Sequence, residues 1–583
     1  MFYGCTSLTT APALPATTLA NSCYDGMFQG CTSLTTAPEL PATTLAPYCY
    51  PYMFYGCTSL TTASELPATT LAQGCYTAMF QGCTSLNYIK CLATNISASN
   101  CTYGWVNGVA SSGTFVKNPD MNDWTRGING IPVNWTVQED YSGVPLTFEI
   151  TGDGNIIWNA QNTANTKTIE YKKNDGEWTS ITSATGSSAP SIGVVTGDIV
   201  QFRGDNATYS AGSYKSNTFS GTTCQFNVKG NIMSLINGTD FANITTLQSA
   251  YTFQYIFCWC TGLTNASNLV LPATTLTEGC YGVMFYGCTS LTTAPALPSI
   301  TLGTQCYNGM FRGCTSLTTA PELPATTLAQ GCYGYMFDGC TSLTTAPELP
   351  ATTLAQGGCY SGMFRGCTSL TTAPALPATT LASDCYSFMF EGCTGLTNVP
   401  SILPATTLAY SCYREMFDGC ISLTTAPELP ATTLAQGGCY QGMFARCTSL
   451  TTAPALPATT LASSCYIGMF DGCTSLTTAP ALPSTTLAQS CYQQMFKGCT
   501  NLTTAPELPA TTLADWCYYN MFYSCSNLNY IKCLATDISA SNCTYNWVGG
   551  VASSGRFVKN ASMTSWTRGF DGIPANWTVE DAT

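Results

Sequence analysis

CYDGMFQGCTSLTTAPELPATTLAPYCYPYMFYGCTSL, residues 23–60, says nearly the same thing twice. Most of the chain says it again. The Met-Phe dipeptide recurs at Met1, Met27, Met53 and Met79, every 26 residues. It returns at Met284, Met310, Met336, Met363, Met389, Met416, Met443, Met469, Met495 and Met521, spaced by 26 or 27. Ile256-Phe257 marks a degraded copy ahead of this second run. The shared pattern is L-A-x-x-C-Y-x-x-M-F-x-G-C-T-S-L-T-T-A-P-x-L-P-A-T-T. A fixed period between about 20 and 50 residues signals a solenoid. One such segment cannot bury its own apolar side, but stacked coils share a continuous core.

Within one coil, Cys23, Met27, Phe28, Cys31, Leu34, Leu40 and Leu45 recur in phase and are expected to point inward. The segment from Leu34 to Leu40 is expected to hold a short strand that ends or bends at Pro38 and Pro41, because proline cannot donate to a ladder. The C-Y-x-x-M-F stretch is expected to form a short helical turn, ended by the glycine before the second cysteine. Paired strands lie about 4.8 Å apart, so eleven coils would make a rod on the order of 50 Å long.

Charged residues are 8% of the chain, against about 25% in ordinary domains. Apolar residues are 45%, which argues against a disordered chain. The polar character comes from Thr, Ser, Asn and Gly, so a neutral, hydroxyl-rich surface is expected. The net charge of −13 offers no basic footprint for nucleic acid. No run of 18 apolar residues suggests a membrane span. Met1 falls inside a repeat with no leader pattern, and the natural chain is expected to extend upstream.

Residues 79–140 and 521–582 are near copies offset by 442. Here the repeat decays: Trp547-Val548 replaces Met-Phe, and Val551, like Val109 in the first copy, stands where the second cysteine would be. With Trp124, Trp135, Trp566 and Trp577 nearby, these stretches are expected to cap the last open coil. Residues 141–236 have another texture. Short β-type runs such as PLTFEIT, KTIEYKK and DIVQFRG alternate with the turn sequences GDG and NDG, which suggests a small, Ig-like β-sandwich. The expected fold is therefore mostly β. Array 1 spans residues 1–97 and its cap 98–140; the sandwich spans 141–236; array 2 spans 237–535 and its cap 536–583.

The repeated pattern resembles the BspA-like leucine-rich repeat family, in its Met-Phe variant. The resemblance covers both arrays, about two thirds of the chain. Sandwich, array and "GIPxNWTV" modules also look like proteins of gut bacteria and their bacteriophages. The resemblance implies a right-handed solenoid on a cell surface or virion, used for adhesion or recognition, with no enzyme activity. The commoner family form has a shorter repeat and one cysteine; this coil has two.

Chemistry is sparse. The chain has 34 cysteines and no histidine. Zinc sites use short paired spacings such as C-x-x-C, whereas the spacings here are eight and eighteen, and Cys258-Trp259-Cys260 is the sole close pair. A catalytic cysteine would lack its usual base. No cofactor or metal is expected. Packed thiols and disulfides both remain open. The loss of single members, at Thr252, Val109 and Val551, favours thiols. Glu39, Glu322, Glu348, Glu428 and Glu507 share one coil position and are expected to form a sparse exposed ladder. Thr-rich faces are what ice-binding solenoids use, but proline interrupts this face in nearly every coil.

Variation concentrates on the two residues before Cys-Tyr, the two after it, and the one after Met-Phe. Equivalent positions stack in a solenoid, so a stripe is expected that contains Tyr48, Tyr52, Tyr55, Arg312, Tyr335, Arg365, Phe388, Arg414, Arg446, Trp516 and Tyr519. Exposed Tyr, Trp and Arg are enriched at binding hot spots; tolerant loop sites that drift freely would look similar. The expectation is a non-enzymatic extracellular protein, on a bacterial surface or phage virion, that recognises a cell-surface glycan or protein. The alternative is a structural spacer, fibre or decoration protein without a ligand.

Overall fold

The computed structural model describes residues 1–582 except 211, 213 and 214. It divides into two compact units, Met1–Gly143 and Val144–Thr583. In both, the repeats are stacked coils with almost no helix; the one α-helix among the described residues is Ser234–Asn237.

The C-Y-x-x-M-F stretch is not the expected helical turn. Its backbone N–H groups alternate between two kinds of partner. Those of Tyr24, Gly26, Phe28 and Gly30 donate to Cys49, Pro51, Met53 and Tyr55 of the next coil, at 2.8–3.0 Å. Those of Met27, Gln29 and Cys31 donate three residues back within the coil, at 3.1–3.3 Å. A helix would spend every N–H on its own chain and leave nothing for the neighbour. The alternation comes with a left-handed residue at every fourth position, as at Tyr48, Tyr52 and Gly56 with φ of 55°, 53° and 71°, which interrupts helical winding.

The expected strand from Leu34 to Leu40 is also shorter than foreseen, reduced to single parallel bridges such as Thr36 to Thr62. The prolines explain this, since each removes a ladder donor. Where the A-P-x-L-P letters are lost, true strands appear. They are β1 (Tyr88–Cys91) in the first unit and β13 (Leu263–Val270) and β14 (Tyr530–Cys533) in the second.

Two columns of rings run through the core. Phe390 lies 5.6 Å from Phe364 and from Phe417, with near-parallel planes. Tyr386 lies 5.8 Å from Tyr360 and from Tyr413. Both columns converge on Trp547, which stacks on Trp566; in the first unit they converge on Trp105 and Trp124 in the same way. The indole N–H of Trp547 donates to the Gly572 carbonyl at 2.9 Å. Around each indole the array closes in a parallel three-stranded sheet: β1 with β2 (Thr114–Lys117) and β3 (Thr136–Glu139), and β14 with β15 (Arg556–Lys559) and β16 (Thr578–Asp581).

All 34 cysteines are free, and only Cys5 and Cys23 are exposed. From Cys31 onward, the second cysteine of the array coils is a hydrogen-bond donor. Cys393 Sγ donates to the Phe364 carbonyl of the preceding coil at 3.0 Å, and that carbonyl also accepts the Cys367 N–H. The contact repeats along both arrays, for example from Cys57 to Phe28 and from Cys499 to Phe470. Burial pushes the Cys393 thiol up to about 12, so it stays protonated and unreactive.

Ahead of the second array, strands β4 (Leu146–Gly152), β5 (Gly154–Ile157), β6 (Asn159–Ala160), β7 (Thr168–Lys173), β8 (Thr179–Thr182), β9 (Ser191–Val194), β10 (Ile199–Arg203), β11 (Asn217–Thr218) and β12 (Gln225–Asn231) fold together. They form a six-stranded sheet, ordered β13-β12-β4-β10-β7-β8, and two ribbons, β6 with β11 and β5 with β9. Strand β12 pairs in parallel with β13, so the sheet continues into the first coil. Phe148 and Phe219 pack on Phe257, the first ring of the Phe column, at 6.1 and 6.0 Å.

Several buried tyrosine hydroxyls in the Tyr column, including those of Tyr386 and Tyr413, have no hydrogen-bond partner. Tyr307 does have one: Ser299, eight residues upstream, at 2.9 Å. Ala378 stands eight residues upstream of Tyr386 and is equally buried. Ala378→Ser is expected to stabilise the protein by about 0.5–1.5 kcal/mol, measured by denaturant melts; no gain would mean the hydroxyls are satisfied by other means. For the thiols, alkylation without reductant is expected to label Cys5 and Cys23 in the native chain and to approach 34 groups after denaturation. Uptake near zero in the denatured chain, read by mass, would show disulfides instead.

Candidate functional site

The variable letters fall on the turns just described. Two of the five variable positions, one before Cys-Tyr and one after it, are left-handed backbone sites. Tyr48, Tyr52, Tyr335, Phe388 and Trp516 all sit there, with φ between 53° and 60°. Because alternate N–H groups tie each coil to the next, these positions stack into columns within each array.

In the first array, Tyr48 and Tyr52 are each 41% exposed, and Tyr52 packs on Tyr55 at 6.2 Å. The second array holds most of the charge. Arg312 pairs with Asp338 one coil on, at 2.9 Å, and its guanidinium lies over Tyr286 and Tyr335. Arg365 pairs with Glu391 of the next coil, at 2.9 Å. Arg414 pairs with Glu415 and lies 5.3 Å over Phe388. Arg446 reaches back to Asp418 through two hydrogen bonds, and Lys497 reaches back to Asp471. Trp516 packs on Tyr519 at 5.2 Å.

The arginines of the stripe therefore already have acidic partners, on a neighbouring coil for Arg312, Arg365 and Arg446 and within the same coil for Arg414. Such exposed pairs contribute only about 0–1 kcal/mol each, but they set which letter suits which neighbour. Asp418 is the most enclosed partner. Burial raises its carboxyl to about 6 despite the guanidinium beside it.

Rings on the stripe also constrain the next coil. A Cβ on Gly362 would lie 2.4 Å from the Tyr335 ring, and one on Gly74 would lie 2.3 Å from the Tyr48 ring. Gly279 faces Tyr251, and Gly287 faces Trp259, in the same manner. At these four places a large residue in one coil goes with glycine at the equivalent place in the next. Sequence comparison found the variable positions but missed this coupling; the signal available was the pairing of letters 26 to 28 residues apart.

One oxygen each from Glu391, Glu415 and Asp418 lies within 4.8 Å of the others, the one such grouping among the described residues that could hold a metal ion. Each of the three is already paired with its own arginine, Arg365, Arg414 or Arg446, which makes the cluster a balanced charge network. The glutamates of the A-P-E-L-P letters are exposed, and Glu507 pairs with Lys532 at the end of the second array. Threonine hydroxyls bind carbonyls of the preceding coil, as Thr344 does to Thr318 at 3.2 Å. A concavity elsewhere on the second array is lined largely by apolar residues, among them Pro377, Pro400 and Pro404.

The family model of the BspA type leucine rich repeat region matches in six copies, over residues 1–104, 237–371, 284–424, 360–502 and 440–546. No curated protein and no solved structure matches the chain at a significant level.

The ring-over-glycine contact is testable by a double-mutant cycle. Gly362→Ala is expected to cost at least the roughly 1–2 kcal/mol of a left-handed non-glycine residue, plus the clash with Tyr335. In a Tyr335→Gly background the clash is absent, and a coupling above about 0.5 kcal/mol is expected. Additive losses in denaturant melts would mean that the two coils vary independently.

Proposed function

The chain belongs to the BspA-type leucine-rich repeat family, and from that premise we propose that it is a non-enzymatic surface protein that recognises a cell-surface partner through the variable stripe. The observation that carries this is the concentration of Tyr, Trp, Phe and Arg at turn positions that stack in columns within each array, beside strand letters that barely change. Display outside the cell, on a bacterium or a virion, fits a family that is commonly surface-associated. Among the described residues no helix is long and apolar enough to cross a membrane. The β-rich residues 141–236 serve, in this view, as an Ig-like spacer from which the second array projects, and residues 98–140 and 536–583 as caps.

A second reading, a structural spacer without a ligand, is favoured by the inter-coil pairs. Arg312, Arg365, Arg414 and Arg446 all have acidic neighbours, and Tyr335 and Tyr48 cover glycines, so internal fit accounts for part of the variation.

Saturable binding of the purified chain to intact host or bacterial cells, read by flow cytometry, separates the two. A variant with all eleven stripe residues replaced by Ser or Gly is expected to lose this binding. Binding should depend little on salt, because the stripe charges are internally balanced. A parent that binds no cells, or a stripe-less variant that binds as well as the parent, would make the spacer the better description.

A further inference from the structure

Building on the recognition reading above, we propose that the ligand seat is an aromatic patch formed by Trp516, Tyr519, Tyr523 and Tyr545, and that it takes a neutral carbohydrate. Elsewhere on the stripe of the second array, charge covers several of the rings: Arg312 lies over Tyr335 and Arg414 over Phe388. Among the described residues no cation lies over the four rings of this patch. Tyr519 stacks on Tyr545 of the next coil, with centroids 5.3 Å apart and planes 10° from parallel. Trp516 adjoins Tyr519 at 46°. Tyr545 is 49% exposed and Tyr523 37%.

The neighbours of the rings are amides and carboxylates. Asn520 and Asn546 occupy the same left-handed position in successive coils, with φ of 51° each. Asn520 Oδ1 is buried and has no hydrogen-bond partner. Tyr523 and Asn546 both border Gly549, whose missing side chain leaves them room. Asp515 and Asp571 flank the patch and accept the Ser541 and Asn546 N–H groups.

This combination suits a sugar. A pyranose has C–H bonds on its faces and hydroxyls on its edge. The faces stack on aromatic rings, and the hydroxyls pair with amide and carboxylate groups. Two carboxylates, with the neighbouring Lys497 already paired to Asp471 and no cation over the rings, disfavour an anionic glycan. A purely apolar partner would leave the amides without hydrogen bonds.

The chain also carries its own comparison. The near-copy offset by 442 residues places Gly74, Thr77 and Gln81 where the second array has Trp516, Tyr519 and Tyr523, and keeps Tyr103 where it has Tyr545. The backbone is the same in both: φ is 60° at Gly74 and at Trp516. The patch is therefore an addition to one array and is not required by the coil.

The same comparison supplies a variant that should fold. W516G/Y519T/Y523Q, made in the full chain, installs residues the first unit already carries at this backbone. Parent and variant are compared by native affinity electrophoresis in gels containing a soluble β-glucan, a galactomannan, an arabinoxylan or an α-mannan, with dextran sulfate as the anionic probe. The parent is expected to be retarded by at least one neutral polysaccharide, with no loss at raised salt. The variant is expected to bind on the order of tenfold more weakly or worse, while still unfolding in one cooperative transition. Tyr545→Ser, as an independent change, is expected to weaken the same retardation. The proposal is overturned if no neutral polysaccharide retards the parent, if dextran sulfate alone does, or if the variants run as the parent does. Cell attachment that persists in W516G/Y519T/Y523Q and is destroyed by protease treatment of the cells would overturn the carbohydrate seat while leaving the recognition reading intact.

Discussion

The structure depends on how each coil divides its backbone donors. In the C-Y-x-x-M-F turns, every second N–H stays within the coil and every other one crosses to the next. Neither a helix nor a strand does this. A helix keeps its hydrogen bonds inside, and a strand gives them to neighbours on both sides. The alternation lets one short segment act as a turn and as a rung at once. It holds coils in register although prolines have reduced the neighbouring strand to single bridges. The ring columns and the thiol-to-carbonyl bonds follow from that register. They require each Phe to face the Phe, and each cysteine the carbonyl, of an adjacent coil.

Register also gives the variable letters two roles. Side chains at the left-handed sites lie over the next coil before they meet solvent. Tyr48 and Tyr335 lie over a glycine of the next coil, and Arg312 and Arg365 find a carboxylate one coil away. Variation along the stripe is thus written in pairs. What is left after internal pairing is uneven; the largest cluster of rings without a covering cation in the second array is formed by Trp516, Tyr519, Tyr523 and Tyr545. A solenoid can specialise in this way because a local change is felt mainly by its nearest neighbours.

The ends of the arrays show the same logic. An open coil would leave two ring columns and a row of N–H groups without partners. A single indole, Trp547 or Trp105, terminates both columns, and strands free of proline take over the ladder. At the start of the second array, β12 and the rings of Phe148 and Phe219 supply the missing neighbour.

The 26-residue period, the inward set of Met, Phe, Cys and Leu and the stacked variable positions were legible in the sequence. They rest on repetition and on side-chain chemistry, which need no coordinates. The turn geometry was not legible. Cys-Tyr-x-x-Met-Phe has the apolar spacing of a helical turn, and only the presence of an adjacent coil makes it better for half the N–H groups to leave the segment. The pairing of stripe residues was hidden for the same reason. Arg365 and Glu391, or Tyr335 and Gly362, are far apart in sequence and meet only because the coils stack. Sequence determined what each coil is made of; the tertiary structure decided which coil each donor, ring and charge belongs to, because those contacts exist only between coils.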